Sequence, residues 1–236
     1  MRLLQNHVKV LARGAGWMSK EISEYDELFC KLFPHCVSSN LENKTPFIVG
    51  ISGPPASGKS TLSERIVSDL LNVGINACFC PMDGFHLSNS ELDILDLRSV
   101  KGRIDTFNAN EFVSALKQLK NKKPFWWPTY SRIRHNPIAE GIHISGTEAV
   151  YIIEGNYLLE TTEPWNVVKD YLDISIFVDM PDNLLHQRLL KRHKKSGRSE
   201  LQAIKKIKEI DMPNAENIRI NRQTEDIFFN ENSNDM

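Results

Sequence analysis

Gly53-Pro54-Pro55-Ala56-Ser57-Gly58-Lys59-Ser60-Thr61 fills every position of the pattern GxxxxGK[ST]. Its flanks decide the fold. The preceding run, Phe47-Ile48-Val49-Gly50-Ile51, suits a strand buried on both faces. After the loop, Leu62, Ile66, Val67, Leu70 and Leu71 repeat on one face of a helix ending near Gly74. A glycine-rich turn between strand and helix lets backbone N–H groups converge on an anion, and the helix N-terminus adds positive potential. Lys59 is expected to bridge the β- and γ-phosphates of a bound nucleotide, and the Ser60 hydroxyl to ligate magnesium.

The same alternation continues outward. Ile75 to Cys80, Ala149 to Ile153, Ile174 to Val178 and Asp226 to Phe229 read as further strands. Asn110 to Leu119 and Asp182 to Lys195 read as helices. Strands separated by helices imply a three-layer α/β/α arrangement around a mainly parallel sheet. Leu28, Phe29, Leu32 and Phe33 recur at helical spacing, which predicts an amphipathic helix over Ser23 to Phe33 packed on the domain downstream of it. The expected organisation is an N-terminal helical extension over 1–45 and a nucleotide-binding domain over 46–236, with a lid at about 188–205.

Composition narrows the function classes. The chain has 236 residues, 41% of them hydrophobic and 25% charged, which is enough for one core-bearing domain. A formal charge of -1 supplies no field toward nucleic acid or a membrane surface. Apolar runs are too short to cross a bilayer, and MRLLQNHVKVLARGAG is too interrupted by polar residues to be a good secretory signal. Cys30 and Cys36 are spaced C-x5-C and Cys78 and Cys80 C-x-C, a poor match to zinc sites. These cysteines read as thiols of a cytoplasmic protein.

Several residues narrow the chemistry. The second strand runs into Pro81-Met82-Asp83-Gly84-Phe85-His86. At the carboxyl edge of a parallel sheet, Asp83 would face the phosphate loop. There it is a candidate to orient an acceptor hydroxyl, take its proton, or hold a magnesium-bound water; an Asx turn is the structural alternative. Glu154-Gly155 closes the third apolar strand in the same way, as a magnesium-binding acid would. Trp126-Trp127-Pro128-Thr129-Tyr130-Ser131-Arg132-Ile133-Arg134-His135 crowds aromatic, basic and hydroxyl groups into one segment, a mixture suited to a polar pocket or to a core tryptophan beside a solvated turn. Residues 186–208 carry nine lysines and arginines against the single acid Glu200. That stretch reads as a solvated face, a nucleic-acid surface, or a lid whose Arg188, Arg192 and Arg198 neutralise charge, with Gly197 as a hinge point.

Taken together, the motifs resemble the uridine kinase, pantothenate kinase and phosphoribulokinase group of P-loop kinases over residues 46–230. The likeness is greatest to short bacterial members labelled nucleoside kinase-like or fructose-transport-associated kinase. GPPASGKST resembles the group's phosphate loop, so the resemblance assigns Gly53 through Thr61, with Arg188, to ATP. PMDGFH is similar to the DGF or DSF segment, which implies that Asp83 serves as base and helps place Mg2+. KGRIDTFN resembles an acceptor-side loop and implicates Lys101 and Asp105. PTYSRIRH is similar to the PxYDxxxH segment and implicates Tyr130 and His135 in the acceptor pocket. YIIEGNYLL resembles the strand bearing a magnesium-associated acid, Glu154 in this sequence. RLLKRHKKSGR resembles the arginine-bearing lid, and PNAENIRINR a late helix that offers Asn214 and Arg222. Asn108 stands where relatives carry Asp, and Ser131 replaces the Asp of uridine kinases.

The activity this implies is ATP-dependent transfer of a phosphoryl group to a hydroxyl of a small polar metabolite, such as a nucleoside, pantothenate or a sugar. Lys59, Asp83, Arg192 and Arg198 would form the catalytic set, and Ser60, Glu154 and Asp83 the magnesium set. The expected partner is a small-molecule hydroxyl acceptor, with neither nucleic acid nor membrane, and a homo-oligomer is left open. The rival reading is a nucleotide-dependent regulatory or nucleic-acid-binding protein. Asn121-Lys122-Lys123-Pro124 lacks the aspartate of a guanine-reading motif, and no transporter-type LSGGQ segment is present.

Overall fold

The computed structural model describes residues 23–42 and 45–230. Its α-helices are α1 (Glu24–Glu42), α2 (Lys59–Asn72), α3 (Asn89–Ile94), α4 (Ala109–Lys120), α5 (Asp182–Lys195), α6 (Glu200–Lys206) and α7 (Met212–Ile220). The main sheet comprises β1 (Phe47–Ser52), β2 (Ala77–Pro81), β5 (Val150–Gly155), β6 (Ile174–Asp179) and β7 (Ile227–Asn230), in the order β2-β5-β1-β6-β7. All four neighbouring pairs are parallel. A separate antiparallel hairpin joins β3 (Phe125–Ser131) to β4 (Asn136–Ile144).

Alternate residues of the central strands feed two cores. Ile48, Tyr151, Ile153 and Phe177 meet Phe112, Leu116 and Leu119 of α4 on one face. Val49, Ile51, Val150, Ile152, Ile176 and Val178 meet α1 and α2 on the other. Both faces are therefore covered, and the strands read as near-continuous apolar runs for that reason. The register pairs Ser52 with Gly155, Pro81 with Glu154, and Ser52 with Phe177, so the ends of β1, β2, β5 and β6 line one edge.

The first helix is longer than its local pattern predicts. Instead of ending at Phe33 it continues through Pro34 to Glu42. Proline removes one donor and strains the preceding turn, yet Tyr25, Leu28, Leu32 and Cys36 are all buried beneath it. Tertiary burial holds together a helix that the proline alone would interrupt. Leu32→Ala is accordingly expected to destabilise the chain by about 2–5 kcal/mol, the range for emptying a buried leucine site. A denaturant midpoint equal to that of the unsubstituted chain would show that α1 is not part of the core. The first 22 residues, including the segment weighed as a secretory signal, lie outside the described residues.

All four cysteines are free thiols. Among the described residues no helix is long and apolar enough to cross a membrane, and no group of three or more metal-ligating side chains of the His, Cys, Asp and Glu type is present.

Candidate active site

The phosphate loop follows β1 directly and opens α2. Gly53 is required at its start: its φ is +149°, and a Cβ there would stand 2.1 Å from the Val178 carbonyl oxygen. Gly58 precedes α2 in a left-handed conformation. Lys59 is buried, donates to the Pro54 carbonyl at 2.7 Å, and stands 3.8 Å from Glu154. Ser60 donates to the second oxygen of Glu154 at 3.3 Å. Burial pushes the Lys59 ammonium down and the Glu154 carboxyl up, while their mutual attraction opposes both shifts. The Ser57 hydroxyl is buried with no hydrogen-bond partner among the described residues. An orphaned donor inside a ring of glycines fits a phosphate oxygen, and the Ser60 hydroxyl beside the Glu154 carboxylate is a hard-oxygen pair suited to magnesium.

Asp83 enters from β2 on a short 3-10 turn, Met82–Phe85. The turn is held from above by the hairpin. Trp127, fully buried, donates its indole N–H to the Pro81 carbonyl at 2.9 Å. Gly84 has to lack a side chain, because a Cβ there would lie 2.0 Å from the Pro128 carbonyl oxygen. These contacts fix Asp83 where its charge acts on Lys59, Glu154 and Arg192. The phosphate-loop lysine, the strand-end acid and the candidate base therefore share one edge.

The wall beside the Asp83 turn, where the sequence places the acceptor, is built from rings. His86 packs in tilted contact against Phe107 at 3.8 Å and Tyr130 at 4.9 Å between centroids, and its Nδ1 lies 2.8 Å from the Asp83 carbonyl oxygen. Burial lowers the His86 pKa, opposed by the Asp83 charge, so the ring is held toward its neutral form. Lys101 donates to Asn89 Oδ1 and to the His135 carbonyl, both at 2.8 Å, and stands 5.1 Å from the Tyr130 ring centroid. Tyr157 donates to Asn214 Oδ1 at 2.7 Å, whose Nδ2 donates to the Gly102 carbonyl at 3.0 Å.

The segment expected to act as a lid, at about 188–205, falls in α5 and α6, which a π-helical turn, Ile207–Asp211, continues. Met180, Leu185, Leu189, Ile207 and Ala215 form its own small core, against which Ala56 of the phosphate loop packs. His193 and Asp211, 2.6 Å apart, tie α5 to the π turn. Arg192 is exposed on α5. Desolvation and then Arg132 lower its pKa, opposed by Asp83, Asp211 and Glu154. Arg188 lies one helical turn earlier and is half-buried.

Not every predicted residue converges. Arg198 donates to Ser196 Oγ at 2.9 Å and lies 3.4 Å from His193 Nδ1, and its charge bears on Lys206. Asp105 is ion-paired with Arg103, which holds its carboxyl below the usual range. It lines an open hollow of about 510 Å³ with Phe107, Asn108 and Trp165, a lining that includes neither Asp83 nor any phosphate-loop residue. The convergence of charges at the sheet edge, not the size of that hollow, marks the candidate reactive centre. His135 is exposed at the hairpin tip with φ +50° and contributes its carbonyl to Lys101. Arg222 binds Glu225 at 3.1 Å and covers Phe177, a structural tie away from the phosphate loop. Three residues that were given no role from the sequence reach the site: His86, Arg132 and Tyr157. All three lie in segments that the sequence marks: His86 closes the run from Pro81, Arg132 sits in the Trp126 to His135 segment, and Tyr157 stands three residues beyond the strand-end Glu154.

The Phosphoribulokinase / Uridine kinase family matches residues 48–233. The Escherichia coli (strain K12) protein YggC is 30% identical over 224 residues, covering 94% of this chain and 91% of that one. A Schizosaccharomyces pombe protein named "Putative uridine kinase C227.14" is 29% identical over 225 residues, covering 89% and 91%. Among solved structures, a "putative fructose transport system kinase" from Silicibacter sp. TM1040 superposes with TM-score 0.78 at 31% identity, covering 85% of this chain and 98% of that one. The family match spans β1 to β7 and with it every element of the site. This chain belongs to the phosphoribulokinase/uridine kinase family.

Proposed function

We propose that the protein transfers the γ-phosphoryl group of ATP to a hydroxyl of a small polar metabolite in the cytoplasm. The observation that carries this reading is the convergence of Lys59, Ser60, Glu154 and Asp83 on one sheet edge beneath Arg192. The loop amides, the Ser57 hydroxyl and Lys59 bind the triphosphate. Ser60 and Glu154 would hold Mg2+, which when bound neutralises and orients the phosphate oxygens. Asp83 accepts the proton of the attacking hydroxyl. The new bond joins acceptor oxygen to γ-phosphorus, the bond to the β,γ-bridging oxygen breaks, ADP leaves, and the proton passes from Asp83 to solvent. Tyr130, Lys101 and His86 position the acceptor, while Arg192, with Arg188 one turn earlier on the same helix, excludes water and so limits hydrolysis.

The test is an ADP-release assay against uridine, cytidine, pantothenate, fructose, ribose and glycerate. Acceptor-dependent ADP release, with the phosphorylated product recovered, is the expected result. ATP binding without stimulation by any acceptor would favour a nucleotide-dependent regulator over a kinase.

A further inference from the structure

Cations on the acceptor side of Asp83 outnumber the acids that face them. Two of the basic residues there are neutralised by partners of their own, Arg98 by Asp93 at 3.1 Å and Arg103 by Asp105. Two are not. Lys101 makes all its polar contacts to neutral groups, the Asn89 amide oxygen, the His135 carbonyl and the face of Tyr130. Arg132, exposed near the hairpin tip, forms no ion pair among the described residues, and its charge bears on Tyr130, Glu154 and Arg192. The charged groups acting on the His86 and Tyr130 rings are Lys101, Arg98, Arg132 and Arg192, set against the single carboxylate of Asp83.

These cations are not all explained by a triphosphate. Arg192 acts on Lys59, and Arg132 on Glu154, so both stand over the nucleotide side as well. Lys101 stands 5.1 Å from the Tyr130 ring, Tyr130 packs on His86 and the His86 Nδ1 meets the Asp83 carbonyl, so a continuous run of contacts puts Lys101 on the acceptor side of Asp83. Holding an ammonium partly desolvated without a carboxylate is costly unless a ligand supplies the countercharge. A purely structural lysine bracing the hairpin tip would do as well with any donor of that length.

We propose that the phosphoryl acceptor is itself an anion: a small hydroxylated molecule whose carboxylate or phosphate group sits against Lys101 and Arg132 while its hydroxyl faces Asp83. This rests on the kinase reading and narrows it away from neutral nucleosides and free sugars.

The experiment compares acceptors in matched pairs that differ in the anionic group: glycerate with glycerol, pantothenate with pantothenol, and ribose 5-phosphate with ribose. In at least one pair kcat/KM should favour the anionic member by about 100-fold, as expected of a site built around a half-buried charge contact. Lys101→Met and Arg132→Met should each cut that ratio by about tenfold through acceptor KM, and Lys101→Arg should restore it. Phosphorylation with no preference for the anionic member in any pair, or a ratio unmoved in both variants, overturns the proposal and leaves the kinase reading intact. Loss of the kinase reading looks different, since no acceptor of either kind would then be phosphorylated. In that event calorimetric titration of the same acceptors, with a non-hydrolysable ATP analogue present, decides. Binding of an anionic member that Lys101→Met abolishes supports the anion site, and absence of binding by every anionic member sinks it.

Discussion

Asp83→Asn is expected to lower the turnover number by about two to four orders of magnitude, the size of a general-base contribution together with the loss of a fixed charge. The substitution keeps the shape of the side chain. It also leaves intact the turn that carries it, because the His86 ring and backbone N–H both approach the Asp83 carbonyl, not its carboxylate. What it removes is a proton acceptor whose charge bears on Lys59, Glu154 and Arg192. ATP affinity should therefore stay within a few-fold of the original while single-turnover phosphorylation of the acceptor collapses. Turnover within tenfold of the unsubstituted chain would remove Asp83 from the base role and leave it as one charge among several around the phosphates.

The central strands β1, β5 and β6 were legible because strands buried on both faces must be apolar at nearly every position. The site residues attached to those strands were legible for the same reason. Lys59, Asp83 and Glu154 each follow an apolar run, and a parallel sheet brings the carboxyl ends of such runs to one edge. The hairpin was not legible in this way. β3 buries only Trp127 fully, so it lacks the alternation that marks a strand, and Pro128 coincides with a shift of register between Trp127 and Thr129. Its aromatic and basic residues therefore read as a pocket segment of undefined shape, although they form a two-stranded cover over the Asp83 turn.

Contacts across large separations were hidden for a different reason. Lys101 meets the carbonyl of His135, and Tyr157 meets Asn214, through loops whose paths depend on how the hairpin and α7 pack. No local pattern encodes such meetings. The resemblance to known kinases named Lys101, Tyr130, His135 and Asn214, and the geometry then distributed their roles. Tyr130 and Lys101 came together beside Asp83, His135 lent only a carbonyl to that cluster, and Asp105 was claimed by Arg103. Pairing of neighbours in the chain, as between Arg103 and Asp105, can withdraw a charged residue from a pocket that its motif suggests.

Lys59→Met should reduce kcat/KM by about two to four orders of magnitude, acting on ATP binding as well as on transfer, because it deletes the one buried cation of the phosphate loop. It should also change how stability responds to pH. In the folded chain Glu154 is buried and its carboxyl is already pushed up by desolvation, with Lys59 as the largest opposing influence. Without the ammonium its folded pKa rises further, whereas its unfolded pKa stays near the ordinary glutamate value. Over that interval the folded state binds more protons than the unfolded one, so stability falls as pH rises. The Tm deficit of Lys59→Met relative to the unsubstituted chain should therefore widen between about pH 5 and pH 8. Adding Glu154→Gln removes the ionisable partner, so the double variant should lose this pH-dependent widening while remaining inactive. A deficit independent of pH would mean that the lysine and the glutamate are not energetically coupled, and that their 3.8 Å approach contributes nothing to the charge balance of the loop.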